Sequence, residues 1–431
     1  MARFPKIDKE LFIHNRKLLI ENLLPKSIAI VHSNDIYPTN ADGTMPFKQN
    51  SNLLWLCGID QEETTLILFP DAPRDEWKEI LFIRETNEEI AIWEGAKLTK
   101  EQAREISGIQ TIYWSHEFDK ILKLIIFEAE NIYLETNEHV RSSNEVPTLS
   151  DRNIVRYKSM FPLHQYQRLA PILGALRSIK HPVEVELLKN ACQLTRDAFL
   201  RVLRFIKPGV KEYEIEAEYL HEFIRKGASG FAYSPIIASG ADSCVLHYVA
   251  NDKECKDGDI LLMDVGVCYA HYNSDMTRCV PVNGKFTQRQ REVYDAVLRV
   301  MRQAIDMLRP GNNLNDYHKA VGHLMEEELI KLGLLDAEAV KKQDPEKPLY
   351  KKYFMHGTSH FLGLDVHDVG PRFPVFQPGM VFTCEPGIYI REEGLGIRLE
   401  NDILITPSGP VDLMADIPVE AEEIEHLMNE S

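Results

Sequence analysis

The sequence predicts an α/β domain over residues 1–175 followed by an α+β domain over residues 176–431 that is built from two like halves. Three observations carry this reading. Strand-like apolar runs alternate with polar and helical segments through the first ~170 residues. A proline-initiated helix then follows Arg177-Ser178-Ile179-Lys180-His181-Pro182. Beyond it, the order helix, helix, carboxylate-bearing hairpin occurs twice. A chain of 431 residues also exceeds one typical hydrophobic core, so two domains are expected.

In the first domain Ser27-Ile28-Ala29-Ile30-Val31, Thr65-Leu66-Ile67-Leu68-Phe69 and Glu79-Ile80-Leu81-Phe82-Ile83 read as strands, and Ile121 to Glu130 as a helix between strands. The boundary falls at 174–180. Pro182 suits a first helical turn, where its missing N–H costs nothing, and Glu184 and Glu186 lie near the positive end of the same helix. Leu187, Ala191, Leu194, Ala198 and Val202 make one apolar face, and Lys207-Pro208-Gly209 stops it. A second helix is expected over Glu212 to Lys226, before the first hairpin. In the second half a helix carrying Val293, Val297, Val300, Ala304 and Met307 ends at Pro310-Gly311, and another runs from Asn315 to Leu332 before the second hairpin. Gly258 stands six positions before Asp264, as Gly379 does before Glu385. Direct identity between the halves is slight, so the order of elements carries the duplication.

Each hairpin sets one acid inside an apolar strand and another across a turn. Asp264 sits in Ile260-Leu261-Leu262-Met263-Asp264-Val265-Gly266-Val267, with Asp275 11 positions on; Glu385 sits in Met380-Val381-Phe382-Thr383-Cys384-Glu385-Pro386-Gly387, with Glu400 15 positions on. Residues equidistant from a turn lie side by side on one sheet face. Asp264 and Asp275 straddle Tyr269-Ala270-His271, and Glu385 and Glu400 straddle Glu392-Glu393-Gly394. A buried ionised carboxylate costs several kcal/mol unless paired, hydrogen-bonded or bound to metal. Two divalent cations would cancel four such charges. Between the hairpins, His356, His360 and His367 fall within twelve residues, without the glutamate of a His-Glu-x-x-His helix. Four carboxylates and an imidazole form an oxygen-rich set suited to manganese and comparably hard ions.

Bulk properties narrow the function further. The formal charge of −17, from 49 basic and 66 acidic residues, argues against nucleic acid and against an anionic membrane as partner. No signal-peptide core and no apolar run of membrane-spanning length is found, so a cytoplasmic protein is expected. Seven cysteines without a Cys-x-x-Cys pair suggest neither a disulfide framework nor a zinc knuckle.

In order and surrounding motif, Asp264, Asp275, His360, Glu385 and Glu400 resemble the five metal ligands of the pita-bread metallopeptidases. Val245-Leu246-His247-Tyr248, the stretch from His356 to His360, Asp365-Val366-His367-Asp368 and the stretch from Gly396 to Asp402 resemble the motifs of the proline-specific, aminopeptidase P branch. Gln49-Asn50-Ser51-Asn52-Leu53-Leu54-Trp55-Leu56-Cys57-Gly58 resembles the segment that opens that branch's N-terminal domain. The likeness covers nearly the whole chain. It implies a pita-bread second domain and release of an N-terminal residue before proline, by a hydroxide bridging two metal ions: manganese first, with cobalt, zinc or iron as alternatives. It further implies Glu385 as proton shuttle, His247 and His367 on the substrate carbonyl and oxyanion, and Arg398 holding the groups around the ligands. His356, Tyr389 and Asp42 would act beside it. Trp93 would reach a neighbouring subunit's site, which makes a homo-oligomer, dimer or tetramer, the expected state.

Two alternatives stay open at this point. Prolidase, which cleaves Xaa-Pro dipeptides, needs a cation for the free carboxylate, and Arg372 is the sole arginine between His367 and Gly379. Methionine aminopeptidase normally lacks so large an N-terminal domain. A metal-free binding protein of the same fold is the alternative from another class; against it, all five ligand positions carry residues able to coordinate.

Overall fold

The computed structural model describes residues 3–143 and 145–430, which divide into two units: residues 5–177, and residues from 178 onward together with Arg3 and Phe4. The first unit holds a six-stranded mixed sheet of β1 (Ser27–His32), β2 (Thr65–Leu68), β3 (Glu79–Ile83), β4 (Thr111–Trp114), β5 (Asn131–Leu134) and β6 (Gln165–Arg168), in the order β4-β3-β2-β1-β5-β6. Its helices are α1 (Lys9–Ile20), α2 (Ser51–Cys57), α3 (Glu88–Glu94), α4 (Lys100–Ser107), α5 (Phe118–Ile125), α6 (Leu149–Met160) and α7 (Ala170–Ser178), the last ending at the division between the units. On one sheet face Ile28, Ile30, Ile67, Ile80 and Phe82 pack with Phe118, Ile121, Leu122 and Ile125 of α5 and with Tyr157 of α6. On the other, α2 lies against β1 and β2. Strands covered on both faces read as unbroken apolar runs rather than as alternation. The helix expected to reach Glu130 stops at Ile125, and a tight 3₁₀ turn continues to Glu128.

One buried polar group in this unit has a pH consequence. His32, 7% exposed, shares hydrogen bonds with Thr65 Oγ1 (2.9 Å) and the Tyr157 hydroxyl (2.8 Å), which a neutral ring satisfies with one donor and one acceptor nitrogen. Burial, helped by the Arg156 charge, lowers its pKa to about 3. The folded state therefore disfavours the protonated ring. Stability is complete above the unfolded value near 6.5 and falls as pH drops toward the folded one. Between pH 7 and 5 the loss expected from this group is about 2 kcal/mol. Denaturant unfolding at the two pH values should show that excess over a His32→Gln variant; equal drops in both proteins would refute it.

The second unit is built in two halves with its helices outside. The first half contains α8 (Pro182–Leu203), α9 (Glu212–Arg225), β7 (Gly230–Phe231), β8 (Ile236–Ser239), β9 (Ile260–Val265), β10 (Val267–Tyr269), β11 (Tyr272–Asn273) and β12 (Met276–Pro281). The second half contains α10 (Gln288–Met307), α11 (Leu314–Lys331), α12 (Ala337–Lys341), β13 (Val381–Cys384), β14 (Gly387–Ile390), β15 (Leu395–Arg398), β16 (Asn401–Thr406) and β17 (Gly409–Asp412), and α13 (Ala421–Asn429) follows. The strands form sheets β12-β9-β8, β11-β10-β7, β13-β16-β17 and β14-β15. Helix α8 packs on α9 as α10 packs on α11. Pro182 takes the first turn of α8, and Glu184 caps it by accepting from His181 N at 2.8 Å.

Arg278 of β12 joins the halves. It is fully buried, and its guanidinium donates to the carbonyls of Glu400 (2.7 Å) and Pro418 (2.9 Å) and to Asn401 Oδ1 (2.7 Å). It thus spends most of its donors on main chain and an amide from the other half, where an unmet charge would be costly, with one bond to the Thr277 carbonyl beside it (3.0 Å).

Candidate metal centre

The two hairpins deliver their acids differently. In the first, Asp264 pairs across the sheet with Thr277, so Asp275 lies two positions off the directly opposite place. The expected side-by-side pairing is corrected to a diagonal one. The turn sits at Ala270 and His271, both left-handed (φ 50° and 71°), one step beyond the midpoint between the acids. A shift of two leaves both side chains on the same face, because strand side chains alternate with period two. Gly266 permits the convergence: a Cβ there would stand 1.9 Å from the Ser274 carbonyl oxygen. In the second hairpin the ladders Cys384–Asn401 and Gly387–Arg398 put Glu385 and Glu400 in the directly opposed places, both in the break between strands.

The acids meet in a buried cluster. Ligand atoms of Asp275, His360 and Glu400 lie within 4.8 Å of one another. His360 Nε2 is 3.4 Å from Asp275 Oδ2 and 3.7 Å from Glu385 Oε1. Asp264 joins through Tyr233, whose hydroxyl stands 2.6 Å from Asp264 Oδ1 and 2.5 Å from Asp275 Oδ1. One hydroxyl proton can be donated to only one of the two carboxylates at a time, so it brings them together without neutralising either. Burial pushes Glu385 up to about 7 against the pull of His360. Burial and then the neighbouring acids hold Glu400 well above the carboxylate range, and burial raises Asp264 despite Arg398. Burial alone would lower the His360 imidazole; its bond to Asp275 and the Glu385 charge raise it overall. Four carboxylates facing one arginine and one histidine fit hard divalent cations, which would supply the missing charge to oxygen donors.

Arg398 organises one side of the cluster. It donates through Nη2 to Asp264 Oδ2 (2.6 Å), through Nε to Thr277 Oγ1 (3.0 Å) and through Nη1 to the Tyr389 oxygen (2.9 Å). Thr277 passes its proton's bond to Glu400 Oε2 (2.6 Å), and Tyr389 does the same toward His356 Nε2 (2.8 Å). His367, on the exposed rim, sets its ring edge-on to His360 with centroids 4.5 Å apart. Its loop is fixed from behind. Lys180 Nζ meets Asp368 Oδ2 at 2.9 Å with both side chains almost wholly buried, and Asn273 Nδ2 donates to the Leu364 carbonyl (2.9 Å).

The remaining expected residues take no part in the bonds described so far. His247 is exposed on the segment after β8 and, among the described residues, joins none of these bonds. Asp42 and Trp93 belong to the first unit: Asp42 is exposed in the turn bracketed by the Pro38–Thr44 bridge, and Trp93 is 83% exposed on α3. Arg372 is exposed, its guanidinium over the Phe373 ring. Sequence reasoning missed Tyr233 and Thr277. It also gave no role to Asp402, which is fully buried and accepts from Asp275 N at 3.1 Å, with burial raising its carboxyl well above the usual range.

The sequence model of metallopeptidase family M24 matches residues 186–407, and that of the aminopeptidase P N-terminal domain matches residues 12–133. The Xaa-Pro aminopeptidase of Haemophilus influenzae is 34% identical over 100% of this chain and 99% of its own. Xaa-Pro aminopeptidase 3 of Homo sapiens is 32% identical over 93% of this chain and 81% of its own. Among solved structures, zinc-substituted Escherichia coli aminopeptidase P in complex with product superposes with a TM-score of 0.88 at 33% identity, covering 98% of this chain and 99% of that one. The chain belongs to metallopeptidase family M24, with an aminopeptidase P N-terminal domain ahead of a pita-bread domain that holds the carboxylate cluster.

Proposed function

We propose that this protein is a metal-dependent Xaa-Pro aminopeptidase, a hydrolase that releases the N-terminal residue from peptides with proline in second position. The observation that carries this is the convergence of Asp264, Asp275, His360, Glu385 and Glu400 in a chain alike over its full length to Xaa-Pro aminopeptidases. Those five side chains would hold two divalent ions, manganese first, with cobalt, zinc or iron as alternatives. Bound there, the metal supplies Lewis acidity and a water acidic enough to ionise near neutral pH. The protein's own residues do the rest. Glu385, beside His360 and near Thr383 Oγ1 (3.4 Å), takes a proton from the attacking water and carries it toward the departing proline nitrogen. His247 and His367 offer N–H groups to the scissile carbonyl as it gains negative charge. Arg398, through Asp264, Thr277 and Tyr389, keeps the ligands and His356 in place. Residues 1–175 act as the N-terminal domain and 176–431 as the catalytic one.

The neighbouring exposed Ile92 and Trp93 support assembly as a homo-oligomer, a dimer or tetramer, with Trp93 reaching a partner's site. The acidic charge supports a cytoplasmic enzyme without nucleic-acid or membrane partners, and no helix among the described residues is long and apolar enough to cross a membrane. A peptide panel tests the proposal. With manganese added, Xaa-Pro-Xaa peptides should be cleaved after the first residue, at least as well as Xaa-Pro dipeptides. Strong preference for the dipeptide would point to prolidase, and absence of metal in the purified protein with no activation by manganese would point to a binding protein.

A further inference from the structure

A further buried carboxylate, outside the set of metal ligands, holds the segment that carries His247. Glu212 opens α9 and is fully buried, with neutral donors on both oxygens. Its Oε1 accepts from Ser239 N (2.8 Å) and Ser239 Oγ (2.7 Å); its Oε2 accepts from the Tyr248 hydroxyl (2.8 Å) and Lys253 N (3.0 Å). The helix N-terminus favours a negative charge at this place. Around it the chain is stitched down: Glu212 N donates to the Lys253 carbonyl (3.0 Å), and Asn251, held left-handed at φ 46°, accepts from Ile237 N (3.0 Å).

On the other side of His247, Ser243 is pinned to the metal-centre hairpin. Its Oγ accepts from Gly396 N at 2.8 Å, two residues before Arg398, and a Cβ on Gly396 would stand 2.2 Å from the Ser243 carbonyl oxygen. Between the pins Val245 (50% exposed), His247 and Val249 (57%) face outward, while Tyr248 is buried. The same carboxylate that holds Tyr248 also holds Ser239, the last residue of β8, and Ile236 of β8 pairs directly with Asp264 of β9.

We propose that Glu212 is a positioning residue for catalysis: through Tyr248 and Ser239 it fixes the height of His247 relative to the strand bearing Asp264. The inference rests on the reading that His247 serves the scissile carbonyl. Tyr248→Phe removes one hydrogen bond from this clamp and leaves the ring to fill its place, whereas Glu212→Gln puts an amide N–H₂ against donors that need acceptors.

The test is a double-mutant cycle on the metal-loaded, full-length protein, reading kcat and KM on an Xaa-Pro-Xaa peptide, with near-UV circular dichroism and metal content as checks on each variant. Tyr248→Phe should lower kcat/KM about tenfold, mostly in kcat, as expected for a displaced hydrogen-bonding group. Glu212→Gln should cost at least as much. In a His247→Ala background, Tyr248→Phe should change kcat/KM by less than about twofold, because the group it positions is gone. A folded Tyr248→Phe with wild-type kcat/KM would overturn the proposal, and so would the same tenfold loss repeated in the His247→Ala background. A harmless His247→Ala would overturn the assignment of His247, and the proposal with it.

Discussion

Glu385→Gln should reduce kcat on an Xaa-Pro-Xaa peptide by about a thousandfold while leaving KM within a few fold, the range for losing a positioned acid–base group. The glutamine keeps the length and shape of the side chain. Its place opposite Glu400 in the hairpin and beside His360 is therefore retained, and so is its contact with Thr383. What disappears is the ability to take up and return a proton. With no cation beside it, burial raises this carboxyl to about 7; a bound divalent ion would lower it again, so its role rests on its place beside His360 and Thr383. Steady-state kinetics with metal content measured in parallel checks the expectation. A variant with near-native kcat and full metal would remove Glu385 from the proton path.

The second large effect concerns stability. Lys180→Met should destabilise the protein by about 3–5 kcal/mol, because it withdraws the ammonium from a carboxylate, Asp368, that stays buried. The pair is 2.9 Å apart, with side-chain exposures of 1% and 2%. Neutralising both partners, as Lys180→Met with Asp368→Asn, should recover part of the loss, since the cost of a buried pair lies in breaking it rather than in lacking it. Since Asp368 follows His367, kcat should fall in the single variant even at temperatures where it remains folded. Denaturant unfolding of the three proteins provides the measurement; a single variant within about 1 kcal/mol of wild type would contradict it.

These two predictions also mark where the sequence is readable. The runs at 27–31, 65–69 and 79–83 could be recognised because their strands are covered on both faces, whereas β6, Gln165-Tyr166-Gln167-Arg168, is largely polar and only partly buried and carries no such signal. Asp264 and Glu385 stood out because an acid inside an apolar run demands an explanation. The opposition of Glu385 and Glu400 follows from counting residues about one turn. The same count misplaced the first pair by two, since the turn at Ala270 and His271 is set by two left-handed residues that no pattern announces. Tyr233 was invisible for a different reason. It lies in a short irregular segment between β7 and β8, and only the packing of the sheets brings its hydroxyl to Asp264 and Asp275. Glu212 resembles any acid at the start of a helix until four donors are seen around it. Motifs report residues whose chemistry is unusual for their surroundings, and supporting residues act through ordinary hydrogen bonds that only tertiary structure reveals.

The guanidinium of Arg278 has a bearing on the two-part design itself. Each half of the second unit contributes one pair of acids, which suggests that two separate copies of a half could pair and reproduce the centre. Arg278 forbids that exchange. Apart from a bond to the neighbouring Thr277 carbonyl, its donors go to Glu400, Asn401 and Pro418, all outside its own half, so a half cut loose would carry a buried cation stripped of most of its acceptors, and the other would be left with orphaned carbonyls. The halves have become complements rather than duplicates, and a chain severed between β12 and α10 should yield fragments that are soluble and folded only when produced together.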